Sequence, residues 1–124
     1  MRKVATVLLA IAGVFGGGAA SLAQSPIGLY GTWSSGRYPG VGGQVHLDSV
    51  VTTAAGEFVG RVSFSGSPCA DWANFSGRTM GDAVVLSMIV GNCGPDEVTL
   101  HRQGPRWIGT YRTPQDLGTV EMVQ

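Results

Sequence analysis

The 124-residue chain carries 8 basic and 8 acidic residues, is 44% hydrophobic and only 13% charged, and is long enough for one core but not for two. From residue 24 onward it has 6 Arg, no Lys and 8 acidic residues, a formal charge of 6 − 8 = −2. That is the wrong sign for a nucleic-acid partner, and no basic stripe or arginine cluster offsets it.

The first 23 residues read as an export signal: Arg2 and Lys3 give a positive start, Val4 to Phe15 an apolar run, and Ser21-Leu22-Ala23 a small-x-small cleavage site. The apolar run is about a dozen residues where a span needs roughly 20, and glycines follow it at once. No cysteine lies near the cleavage site to take a lipid. The sequence thus predicts a signal peptide, residues 1–23, and a single mature domain, residues 24–124, in a periplasmic or secreted location with no membrane span.

The mature part holds 20 − 4 = 16 glycines, and each glycine inside a helix costs about 1 kcal/mol relative to alanine, so long helices are excluded. What recurs is a short β-rich run followed by a turn cluster. Eight such runs follow in order: 28–34, 44–53, 57–65, 73–79, 82–90, 97–102, 106–113 and 118–123. In the third, Phe58, Gly60, Val62 and Phe64 share one face while Val59, Arg61 and Ser63 share the other. In the seventh, Trp107, Gly109 and Tyr111 share a face. The fifth, from Val84 to Val90, is apolar on both faces and is expected to be the most enclosed. The pattern predicts an all-β fold, an eight-stranded antiparallel up-and-down barrel. An outer-membrane barrel is disfavoured, because its strands need about 9 to 11 residues with an unbroken apolar outer band, and Arg61, Arg78, Arg102, Arg106 and Arg112 interrupt any such band.

Connection lengths alternate. The second, fourth and sixth are short, and the first, third, fifth and seventh are longer. In an up-and-down meander these two sets lie at opposite ends, which predicts one tight end and one loop-rich end. Cys69 and Cys93 fall in the third and fifth connections, at the same end, and an exported chain meets an oxidising compartment, so the two are read as a disulfide. Two cysteines with scattered His46 and His101 lack zinc-site spacing, so no metal site is assigned.

Three short segments carry a resemblance. Gly31-Thr32-Trp33, Gly56-Glu57-Phe58-Val59-Gly60 and Trp107-Ile108-Gly109-Thr110-Tyr111 fall in the same order as similar segments of the calycin-type β-barrels, most closely the avidin and streptavidin family. The resemblance implies a shared barrel. Of that family's biotin contacts it carries over Ser35 and Trp107, whereas its Tyr-x-Ser pair is replaced at Val62-Ser63-Phe64 and its last-strand carboxylate has no counterpart around residues 118–123.

No nucleophile with a base, phosphate loop or paired-acid motif is present, so the chain is read as a non-enzyme without cofactor. The loop-rich end gathers Arg37, Tyr38, Asp71, Trp72, Asn92, Asp96, Gln115 and Asp116, a mixture that suits a ligand mouth. The candidate ligand-binding set is Arg37, Tyr38, Asp71, Trp72 and Asn92, with Trp107 added by the resemblance. Trp72 reads equally well as a ligand contact and as a lid over the core, whereas Trp33, Trp107 and Tyr111 alternate inward as core residues. The expected function is a binding protein holding a small, mostly apolar ligand at this mouth. The alternative is a protein-partner module, such as an inhibitor of a secreted enzyme, using the same loops or residues 24–29.

Overall fold

The computed structural model describes residues 28–124; the expected signal and cleavage site lie outside them. Eight strands follow one another: β1 (Tyr30–Ser35), β2 (Gly42–Ala54), β3 (Glu57–Phe64), β4 (Trp72–Met80), β5 (Ala83–Ile89), β6 (Pro95–Gln103), β7 (Arg106–Arg112) and β8 (Leu117–Val123). Each pairs antiparallel with its sequence neighbours, and β1 closes on β8, so the sheet is an eight-stranded up-and-down barrel without an open edge. Among the described residues the helical content is a three-residue 3-10 turn, Gly91–Cys93, before β6. No helix among the described residues is long and apolar enough to cross a membrane.

The expected alternation of connections is present. Residues 55–56, 81–82 and 104–105 form two-residue turns at one end. Each contains a glycine at positive φ, Gly56, Gly81 or Gly104; Gly81 and Gly104 are the first of their two turn residues, where a type II′ hairpin turn joining right-twisted strands demands that backbone. At the other end lie the longer connections 36–41, 65–71, 90–94 and 113–116. Cys69 and Cys93 are bonded there, with their Cα atoms 5.5 Å apart, clamping the third connection to the fifth.

Alternation sorts side chains inward and outward. On β3, Phe58 and Val62 are buried while Val59 and Arg61 face solvent. On β5, Val84, Leu86 and Met88 fill the interior, and Val85 on the opposite face is also only 7% exposed, lying between Arg78 of β4 and Thr99 of β6. That strand is the most enclosed, as its sequence implies.

The end with the short turns is filled. Phe58 and Phe75 meet edge to face, with centroids 6.1 Å apart, and the Phe58 ring occupies the space a Cβ at Gly77 would need, 2.4 Å from its nearest ring carbon. Trp107 is 4% exposed, and Leu29, just before β1, is completely buried. The Arg102 guanidinium lies 5.7 Å from the Trp107 ring centroid, and its Nε donates to the Gly104 carbonyl at 3.1 Å, capping this floor.

Candidate functional site

Towards the loop-rich end the inward positions change character. Where the floor has Phe58, Phe75 and Trp107, the upper barrel has Val45, Val62, Val98 and Val120, with Gly43, Ala73 and Gly118 alternating inward beside them. Small side chains on a barrel of fixed circumference cannot meet across it. A cavity of about 310 Å³ results, bounded also by Leu47, Phe64, Leu86, Met88 and Met122. Its rim comes from all four long connections: Tyr38 and Val41 from the first, Ser67, Pro68 and Cys69 from the third, Val90 and Cys93 from the fifth, and Thr113, Gln115 and Asp116 from the seventh.

The rim is tied together by one carboxylate. Asp116 Oδ1 accepts from Ser35 Oγ at 2.9 Å, from the Arg37 N–H at 3.2 Å and from the Leu117 N–H at 2.8 Å, while Oδ2 accepts from the Tyr111 hydroxyl at 2.6 Å. Ser35 Oγ in turn accepts the Tyr38 N–H at 2.9 Å, and Thr113 Oγ1 accepts the Asp116 N–H at 2.9 Å, so the first and seventh connections are held as one unit. Burial opposes the charge on Asp116, but the hydrogen bonds from Tyr111, Ser35 and the backbone of Arg37 and Leu117 outweigh it and hold the carboxyl below its usual range. Burial pushes the Tyr111 hydroxyl strongly up, and its bond to Asp116 adds to this, so it stays a donor.

Tyr111 stands where it does because Gly118 lies opposite it in the β7–β8 register. A Cβ at Gly118 would come within 2.4 Å of both the Tyr111 ring and the Ser34 carbonyl oxygen. The ring of Tyr111 meets Trp33 edge-on at 5.8 Å, and Trp33 Nε1 donates across to the Ser65 carbonyl at 2.9 Å. Trp33 and Tyr111 thus form an aromatic wall of the cavity.

Asp96 is the second cavity carboxyl. It shares the inward face of β6 with Val98 and Leu100. Its Oδ1 is shielded from solvent and has no hydrogen-bond partner among the described residues. Burial raises its pKa to about 6, the Asp116 charge adds to the rise, and backbone N–H groups of Arg112 and Glu97 oppose it.

Of the residues singled out in the sequence, Tyr38 lines the cavity, as do Asp96, Gln115 and Asp116. Arg37, Asp71 and Asn92 are exposed at the same end but outside the cavity wall; Arg37 contributes its backbone N–H. Trp72 is not a loop residue but the first of β4, paired with Ser63. Because Ala73 and Phe75 point inward, Trp72 points outward; it is 50% exposed, with the Arg61 guanidinium 4.6 Å from its ring centroid. It therefore covers neither the core nor the mouth. Trp107 belongs to the floor and is absent from the cavity wall. Sequence reasoning did not assign Ser35 and Tyr111 to the rim network; the parity of β7, which places Tyr111 next to the seventh connection, was the available signal. No group of three or more His, Cys, Asp or Glu among the described residues could hold a metal ion.

Searches against protein-family models and against curated proteins found no match to this chain.

Proposed function

We propose that this protein is an exported, non-enzymatic binding barrel that takes a small, mostly apolar ligand into the mouth formed by its four long connections. The observation that carries this reading is the 310 Å³ cavity, a volume at the lower end of the range for small-molecule sites, with apolar walls and a few fixed polar groups at one side. The disulfide spanning two of the rim connections accords with export to an oxidising compartment. The likeness to the avidin and streptavidin family is read as a shared framework and not as a shared ligand, since Ser35 is engaged by Asp116 and Trp107 lies in the floor.

A thermal-shift screen of metabolite and lipid mixtures tests the reading. A cavity ligand raises the melting temperature of the native protein, and Val98→Phe, which fills the cavity from β6, abolishes that rise while remaining folded. A second reading rests on Tyr38, Ile89 and Leu117, which are exposed at the same rim and could seat a protein partner such as a secreted enzyme. If no compound shifts the melting temperature and a secreted enzyme co-purifies, this second reading replaces the first.

A further inference from the structure

The charges of the cavity wall are all of one sign. Asp96 and Asp116 line it, and no Lys, Arg or His does among the described residues. The two carboxyls differ in what they still need. Asp116 already accepts four hydrogen bonds, from Ser35, Arg37, Leu117 and Tyr111. Asp96 Oδ1 accepts none among the described residues and is screened from solvent, and a buried carboxylate oxygen without a donor is a costly arrangement. A water-sized group does not reach that oxygen, so a ligand meets Asp96 through its charge and through the part of the carboxyl that lines the chamber.

Resting on the reading of the cavity as a ligand site, we propose that the ligand is a small organic ammonium ion, an alkyl- or arylamine whose nitrogen donates to Asp96 and whose hydrocarbon body lies among Val62, Val98 and Met88. An anionic ligand would meet two carboxyls and no cation. A neutral apolar ligand would leave the Asp96 charge unopposed in a largely apolar chamber. An ammonium group supplies both the donor and the opposite charge, and a charge-assisted hydrogen bond is roughly twice as strong as a neutral one. The rings of Trp33, Tyr38 and Tyr111 are all on the cavity wall, and an aromatic face attracts a cation in a desolvated chamber.

The groups able to influence Asp96 can be named from each neighbour. β5 presents Met88 opposite it and no titratable side chain. β7 presents the Tyr111 hydroxyl inside and, outside, Arg112, whose guanidinium lies 3.7 Å from Glu97. The seventh connection presents Asp116. Amine binding therefore requires Asp96 to lose its proton, and affinity falls as the solution is acidified through about pH 6.

Calorimetric titration with 2-phenylethylamine, 2-phenylethanol and phenylacetate separates the possibilities. At pH 7.5 the amine binds about tenfold or more tightly than the alcohol, and phenylacetate does not bind. Between pH 7.5 and 5, where the amine itself stays protonated, its affinity drops several-fold. Asp96→Asn brings the amine to about the affinity of the alcohol and removes the pH dependence. An alcohol as tight as the amine, or an Asp96→Asn variant with unaltered amine binding, overturns the amine proposal and leaves the cavity reading intact. If none of the three binds, both fall.

Discussion

The two ends of this barrel are built from the same strands with the same alternation, yet one is solid and the other hollow. On β3, Phe58 near the short turns is in edge contact with Phe75, whereas Val62, four residues on, borders a cavity. On β7, Trp107 fills the floor and Tyr111 stands in the wall of the mouth. The difference lies in side-chain volume at inward positions, not in backbone. Large rings are placed against Gly60 and Gly77 where the barrel is closed by two-residue turns, and valines where it is closed by loops. A folded core can thus be concentrated in one half of a small domain and leave the other half free to hold something else.

Truncation should distinguish the halves most sharply. Trp107→Ala empties a filled floor and is expected to cost about 3–5 kcal/mol, whereas Val98→Ala, beside an existing cavity, should cost about 1 kcal/mol or less, because few packed contacts are lost there. Equal losses in urea unfolding would erase the distinction. Next in size is the disulfide, which closes a 24-residue separation: Cys69→Ser with Cys93→Ser should lower stability by about 3 kcal/mol on the loop-entropy model. Hydrogen exchange in that variant should rise first at residues 65–71 and 90–94, and last at the floor.

Asp116→Ala removes the acceptor shared by Ser35, Arg37, Leu117 and Tyr111 and is expected to cost about 1–3 kcal/mol. Its specific signature is spectrophotometric: the Tyr111 hydroxyl, relieved of the neighbouring carboxylate, titrates at lower pH than in the native protein. An unchanged Tyr111 titration would show that the pair does not couple.

The smallest effect is a gain. The Asp96 carboxyl titrates near pH 6 in the fold against 3.8 ordinarily, so folding favours its protonated form. The Asp96 contribution to native stability is then greatest below about pH 4, declines as pH rises to about 6 and is flat beyond, as linkage requires. Asp96→Asn, which keeps the shape of the neutral acid, should raise stability at pH 8 by roughly 1–2 kcal/mol, allowing for its partial exposure, with the gain vanishing at pH 4. A variant no more stable than the native protein at pH 8 would mean that Asp96 is solvated after all.

Much of the closed framework was legible from the residues alone. Period-two alternation located eight strands, connection length separated the ends, and that same separation made Cys69–Cys93 a reasonable pair. The hollow was not legible, because alternation says which face a residue takes but not whether opposing faces meet. Phe58, Phe64, Leu86, Met88, Trp107 and Tyr111 could have filled the whole interior; in the fold Phe58 and Trp107 pack the floor while Phe64, Leu86, Met88 and Tyr111 border the cavity, a division that alternation alone does not give. Trp72 was misplaced because Cys69 and the residues after it read as a loop; counting back from Phe75 would have set it on the outer face. Trp107 entered the candidate set through a family resemblance, although it follows the sixth connection and so lies at the end away from the mouth. Asp96 and Asp116 were drawn to the mouth by loop position, but what each does there depends on which donors reach it, and linear sequence does not give those.

The central claim is that small molecules enter the valine-lined half and not the ring-filled half. Heteronuclear NMR of the labelled protein titrated with 2-phenylethylamine tests it most directly. The account predicts saturable shifts of the methyl signals of Val62, Met88 and Val98, with Val84 and Leu100 unmoved. Shifts confined to the outer face around Trp72, or spread evenly over floor and mouth, would contradict it.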